Sequence, residues 1–398
     1  MNSINTSDLK EGQIFSAPVY SEGENLLVPP LVPLRHKDIE LLHTWGIKVV
    51  KTEGYVIEAD EVEEPSPEEL LAEALLADNS APVKKTIKFS ISAVQQNSIP
   101  YRSYKTLIEK IAGAFAAIKT GSDIEMRAID NIAVELLQDL RSHPDNFVDF
   151  ILGGEVSGNE LAKSSVNTAI LSALTAQELK LPNHKINNIV AGALLHDVGM
   201  LRLSKGITEK KGGLSDAELE QIKSHPLHTS KIVTKELLGP REVNLIALHH
   251  HERWDGHGYP DRIVGQAIDI GARIVSVADA FEAMVSKKSY RNSIVGYQAV
   301  KNLLADNARR FDPAVIIAFT KIIGIYPIGS IVRLNDSSVA RVVSIHPDAP
   351  LRPKVQMLMD DSGKVLGSRE VVIIDLLIEK TLFIKTAIDP AEFNVTNE

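Results

Sequence analysis

AGALLHDVG, residues 191–199, is an apolar run that stops on an imidazole and a carboxylate. It reads as a helix, so His196 and Asp197 stand at the end of a rigid stem. The same pairing of helix and chemistry repeats downstream. His225 opens HPLHTSKIVTKELL, just before Pro226. His249, His250 and His251 run consecutively at the end of REVNLIALHHHE, followed by Glu252, and Asp279 sits inside GARIVSVADAFEAMV. Seven of the twelve histidines fall between His196 and His257, so the imidazoles are concentrated where the helical pattern is strongest. Side chains held on separate helices converge on one point when the helices pack as a bundle.

Neutral imidazoles and carboxylates are ligands for Fe, Mn or Zn, and with no cysteine in the chain a thiolate site and a disulfide are both excluded. Adjacent His-Asp and His-His pairs supply two ligands from one helix end, and a carboxylate bridges two ions. Two ions about 3.5–4 Å apart lower the pKa of a shared water and stabilise charge on a phosphoryl group. A phosphodiester is a poor electrophile, so a metal-activated hydroxide is the economical nucleophile and no Ser or Cys nucleophile is required. His228 and His249 read as packing or outer-sphere residues. His36, His43, His143, His184 and His346 read as ordinary surface or core residues.

Outward from this centre the chain divides by its periodicity. Residues 101–325 are helical in pattern, with Leu107, Ile108, Ile111, Phe115 and Ile118 on one face and Ile129, Ile132, Ala133, Leu136, Leu137 and Leu140 on another. NELAKSSVNTAILSALTAQEL (159–179) adds a further helix. After YPIG (326–329) the period becomes two in SIVRLND, SVARVVSIH, KVQMLMD and EVVIID, a small β module. At the other end, QIFSAPVY and NLLVPP suggest strands, KDIELLHTWG a helix closed by Gly46, and KVV another strand. The acidic EADEVEEPSPEE (58–69) buries little and reads as linker. The expected layout is multidomain: a small α+β module over 1–57, a linker over 58–98, an all-α bundle over 99–325 and a small all-β module over 326–398.

The net charge of -9 argues against broad capture of DNA or RNA, while leaving room for a small anionic ligand at a local cation cluster. The polar start, MNSINTSDLKEGQ, is no signal peptide, and apolar runs such as IVAGALL are too short to span a bilayer. The expectation is a cytoplasmic protein.

HHERWDGHGYP (250–260) resembles the signature HHExxDGxGYP of the HD-GYP family at every fixed position. HDVG (196–199), HP (225–226), GARIVSVADAFEAM (271–284) and SKKSYR (286–291) are similar to the family's other motifs in order and spacing, so the resemblance spans roughly 155–320. It implies an all-α domain of HD type with two or three metal ions that opens cyclic di-GMP to pGpG or GMP. It implies His196, Asp197, His225, His250, His251 and Asp279 as metal ligands, with Asp197 bridging, His196 and Asp197 at the reaction centre, and Glu160 as a carboxylate for a further ion. The metals implied are Fe or Mn, with Zn and Ni also suited to the ligand set. Lys288 and Arg291 would meet the ligand's phosphates. Gly258 and Tyr259 would line the pocket, in a loop whose glycines permit a tight turn. Signalling proteins and a second copy of the chain are the candidate macromolecular partners.

Two positions depart from the family. Ser164, in Ser164-Ser165-Val166-Asn167, stands where a His ligand belongs, and Glu160 lies one turn earlier on the same face as a candidate substitute. Met200 follows HDVG where members carry Lys, which removes a cation from the centre. The set Asp197, His225, His250 and His251 is complete; the set His196, Asp197 and Asp279 lacks one ligand. Three activities therefore compete: a cyclic di-GMP phosphodiesterase, a degenerate domain that binds cyclic di-GMP or a partner without hydrolysis, and a phosphohydrolase for another nucleotide.

Overall fold

The computed structural model describes residues 2–15, 19–21, 25–28, 34, 36–44, 46–54, 56–57, 98–142, 144–153, 159–208, 210, 213–286, 296–306, 309–367 and 371–388. Most of the expected linker, 58–97, lies outside them, as do Lys288 and Arg291. The chain divides into two units, residues 1–86 with 380–383, and residues 87–379 with 384–398.

In the first unit, strands β1 (Asn2–Asn5), β2 (Ile14–Phe15), β3 (Val19–Ser21), β4 (Asn25–Val28), β5 (Val49–Thr52) and β6 (Val56–Ile57) accompany one helix, α1 (His36–Thr44). Four strands form a sheet in the order β1-β5-β3-β4, and β2 pairs with β6. Phe15, Val19, Leu34, Leu42 and Val50 fill its small core.

The second unit begins with α2 (Ile99–Thr120). Ser98 caps it by accepting the Tyr101 N–H, Pro100 sits in its first turn, and Gly121 ends it in the left-handed region. α3 (Met126–Ser142) buries the Ile129–Leu140 face that its spacing predicts. α4 (Pro144–Gly153) follows. At the centre lie α5 (Glu160–Glu178) and α6 (Asn183–Leu195). Residues 164–173 of α5 and 189–195 of α6 are buried without a break, so both helices are surrounded on all sides. Their Ala, Ser, Thr and Gly content lets neighbouring backbones approach. α7 (Lys205–Thr208), α8 (Asp216–Lys223), α9 (His225–Lys231), α10 (Arg241–His249), α11 (Ile270–Val285), α12 (Gly296–Ala305) and α13 (Pro313–Ile323) complete the bundle.

Two expected helices differ from their pattern. HPLHTSKIVTKELL leaves α-helical hydrogen bonding after Lys231 and continues as a π turn over Ile232–Glu236. REVNLIALHHHE stops at His249, because the chain folds back and the Glu252 carboxylate accepts the N–H groups of Asp261 and Arg262. Four predicted strands then form the C-terminal sheet with one more: β7 (Ile331–Leu334), β8 (Val339–Ser344), β9 (Lys354–Met359), β10 (Ile373–Asp375) and β11 (Ile384–Ile388). Every pairing is antiparallel, in the order β10-β9-β8-β7-β11.

Candidate metal centre

Four helices deliver the chemistry. His196 caps the end of α6, His225 opens α9, His250 and His251 leave the end of α10, and Asp279 points from the middle of α11. His196 Nδ1 donates to the Ala193 carbonyl, His225 Nδ1 to that of Ile222, and His250 Nδ1 to that of Ala247, each at 2.7 Å. A proton fixed on Nδ1 makes Nε2 the ligand atom of each ring in its neutral form, directed inward.

Asp197 stands between these rings. Its Oδ1 lies 3.0 Å from His225 Nε2 and 3.7 Å from His250 Nε2, and its Oδ2 lies 3.6 Å from His196 Nε2. Asp279 Oδ1 approaches the same His196 nitrogen at 3.6 Å. Ligand atoms of Asp197, His225, His250 and His251 all fall within 4.8 Å of one another. The His251 ring centroid is 4.0 Å from that of His250 and 4.9 Å from that of Tyr259, which packs over it.

These residues fit bound cations. His196 is fully buried, yet its Nε2 has no hydrogen-bond partner among the described residues, since 3.6 Å to each carboxylate is beyond bonding reach. His225 Nε2 and His250 Nε2 face each other at 3.4 Å. Imidazole nitrogens facing one another and two carboxylates crowded where four helices meet are a donor set for a divalent transition metal.

Electrostatics favour the ligating forms. Burial, with the neighbouring imidazoles, pushes His251 well below the usual imidazole range, and burial lowers His250, so both are neutral at pH 7. Burial would raise Asp197 and Asp279, but the imidazoles around them overcome it and hold both carboxyls well below the usual carboxylate range. His196 is the exception. Burial pushes it down, and the attraction of Asp197 and Asp279 reverses this and pushes it up to about 9.

A pH dependence follows for the metal-free protein. His196 is raised above its unfolded value of 6.5, so its contribution to stability is complete below pH 6.5 and is lost as pH rises through about 9. Across this window Asp197 and Asp279 stay ionised and His250 and His251 stay neutral. The metal-free protein is expected to lose about 1 kcal/mol per pH unit toward pH 9. The metal-loaded form is expected to hold level, because the ion replaces the proton. Calorimetry with and without chelator between pH 7 and 9 checks this; identical, flat profiles would contradict it.

The remaining sites are placed as follows. Glu160 is exposed at the first turn of α5 and outside the cluster. Ser164 is buried and donates its hydroxyl to Glu282 at 2.6 Å. Glu282 also accepts from Asn167 Nδ2 and Ser286 Oγ, while Tyr104 donates to Asn167 Oδ1. The place of the missing imidazole is thus tied into a buried hydrogen-bond network on α2, α5 and α11. Met200 lies half-buried in the turn Val198–Arg202 after Asp197. His249 Nε2 meets Asp261 at 2.9 Å, away from the cluster. His346 meets Asp375 in the C-terminal module, and His36, His43 and His184 are exposed. Among the described residues, the sequence reading missed Glu282, although it lies one turn beyond Asp279 on the same helix face. It also missed the structural work of Glu252, a fixed position of HHExxDGxGYP whose carboxylate accepts from Asp261 and Arg262 across the loop.

Residues 156–315 match the family model of the HD domain, and 331–396 match that of a KOW domain associated with the HD domain. The chain is 28% identical over 347 residues to the cyclic di-GMP phosphodiesterase PdeB of Borreliella burgdorferi, covering 87% of this chain and 85% of that one. It is 29% identical to a cyclic di-GMP phosphodiesterase of Pseudomonas aeruginosa, over 66% of this chain and 63% of that one. It is 36% identical over 152 residues to the response regulator RpfG of Xanthomonas campestris, also named a cyclic di-GMP phosphodiesterase, over 38% of this chain and 40% of that one. The bundle with its His-Asp helix end is a helical HD domain, followed by an all-β KOW region. HHERWDGHGYP, the stretch that resembles the HD-GYP signature, stands intact inside the matched HD domain.

Proposed function

We propose that the chain is a metal-dependent phosphodiesterase that hydrolyses cyclic di-GMP to pGpG or GMP. The observation that carries this reading is the convergence of Asp197, His225, His250 and His251 within 4.8 Å, beside an intact HHERWDGHGYP. The names of the three relatives support it.

One ion would be held by Asp197, His225, His250 and His251, and a second by His196, Asp197 and Asp279, with Fe or Mn the metals proposed and Zn or Ni suited to the same donors. A bound divalent ion supplies Lewis acidity toward a phosphoryl oxygen and lowers the pKa of water. The chain's own residues prepare this. The Nδ1 bonds orient three rings before any ligand arrives, and the low carboxyls keep Asp197 and Asp279 anionic across the physiological range. Asp197 serves both halves because its two oxygens face different imidazoles. Tyr259 covers one face of His251 and shields it from solvent. Lys288 and Arg291, in the basic segment after α11, are proposed to hold the phosphates, with Gly258 and Tyr259 at the pocket wall. We propose a cytoplasmic protein with cyclic di-GMP as its small-molecule partner, and signalling proteins or a second copy as macromolecular ones.

A second reading, binding without hydrolysis, is favoured by one observation: Ser164 is no ligand, and its hydroxyl is engaged by Glu282. Incubating the purified chain anaerobically with Fe(II) or Mn(II) and cyclic di-GMP, then resolving the nucleotides, separates the two. Linear dinucleotide or GMP is the expected product. Tight binding with no turnover under either metal would replace the first reading with the second.

A further inference from the structure

We propose that Thr229 is a positioning residue for the metal centre, its hydroxyl setting the separation between the His196-Asp197 turn and the helix that carries His225. This deepens the metal-dependent reading above and rests on it.

Thr229 lies one turn after His225 on α9 and is completely buried. A helical threonine commonly returns its hydroxyl to the carbonyl one turn back on its own helix. Here the hydroxyl crosses to another segment. It donates to the His196 carbonyl at 3.0 Å and accepts the Gly199 N–H at 2.9 Å. One side chain therefore clamps both ends of the turn His196-Asp197-Val198-Gly199. The two segments meet backbone to backbone. A Cβ on Gly199 would stand 2.2 Å from the His225 carbonyl oxygen and 2.6 Å from the Thr229 nitrogen, so no larger residue fits there.

The clamp bears on ligand geometry because its two ends carry ligands. Asp197 lies inside the clamped turn, and His225 begins the helix that holds the clamp; their contact is the 3.0 Å approach of Oδ1 to Nε2. Asp197 serves both halves of the centre and His196 one of them, so a shift of this turn against α9 changes the spacing of every ligand that Asp197 faces. Thr229 touches no reacting atom. It acts through the backbone of the turn, and neither its type nor its sequence position marks it.

Thr229→Val keeps the volume and removes both hydrogen bonds, while Thr229→Ser keeps the hydroxyl and removes a methyl. The test is Mn(II) binding to the folded, metal-free full chain, followed by electron paramagnetic resonance, with circular dichroism confirming the fold. Thr229→Val is expected to weaken Mn(II) affinity about tenfold or more, the loss usual for residues that orient ligands. Thr229→Ser is expected to restore it. A purely structural threonine would lower the melting temperature and leave the affinity of the folded protein unchanged, and that outcome overturns the inference. Should Thr229→Val not fold, Thr229→Ala carries the same comparison against Thr229→Ser. Absence of Mn(II) binding by the wild type would instead sink the metal-centre reading, and this inference with it.

Discussion

Asp197→Asn is expected to weaken metal binding by at least about 100-fold, beyond the loss typical of outer-sphere residues, and to remove turnover with it. The substitution keeps the shape of the side chain and deletes its charge. Three imidazole nitrogens face this carboxylate at 3.0, 3.6 and 3.7 Å, and no other acid among the described residues stands between both halves. Asparagine offers one neutral oxygen and an NH₂ that points protons at His225 or His196. The ion would then sit among neutral imidazoles with only Asp279 to balance its charge, in a site where burial makes an uncompensated cation costly. Elemental analysis beside the nucleotide assay checks this, with exposed His184→Ala as the control expected to behave as wild type. Full metal content in Asp197→Asn would show that the carboxylate is not a ligand. The same variant should lower the His196 pKa, since the charge of Asp197 helps to raise it, and so flatten the pH dependence of the metal-free protein.

Gly258→Ala is expected to damage both stability and the centre. A Cβ at this position would stand 2.4 Å from the Arg253 nitrogen and 2.5 Å from the Glu252 Cα. These are backbone atoms, so no side chain can turn aside and the loop itself must move. The loop is fastened to the ligands. Tyr259 N–H reaches the His251 carbonyl at 3.3 Å, the Tyr259 ring lies on His251, and the Glu252 carboxylate holds Asp261 and Arg262. Overpacking of this kind costs about 1–3 kcal/mol. The displacement also falls on the residue that follows His251, so metal affinity should drop with stability. Gly213→Ala, with nothing near its Cβ among the described residues, is the control, expected to leave both unchanged. Thermal melts and metal titration of the two variants give the comparison; equal behaviour would mean that Gly258 is replaceable.

These expectations show where local pattern suffices. The helices over Ile129–Leu140 and around Asp279, and the period-two strands of the C-terminal module, follow from side-chain spacing alone, because 3.6 and 2 residues per repeat are set by backbone geometry. The ligand types were equally legible, since imidazoles and acids at helix ends in a chain without cysteine admit few chemistries. Other features needed the fold. Ser164 and Glu282 are 118 residues apart, and their bond exists only because α5 and α11 pack side by side. Glu160 was attractive as a substitute by its i, i+4 spacing, but spacing along a helix does not say which face the bundle buries, and this residue faces solvent.

The amino-acid sequence by itself determined the helical character of the central domain, its all-β successor and the residue types able to hold a cation, because each is encoded in neighbours a few positions apart. Tertiary structure alone decided which oxygen of Asp197 meets which imidazole, that three Nδ1 protons are tied to backbone carbonyls, and that Thr229 clamps the His196-Asp197 turn. Those choices depend on ångström-scale packing between segments distant in the chain, which no local spacing encodes.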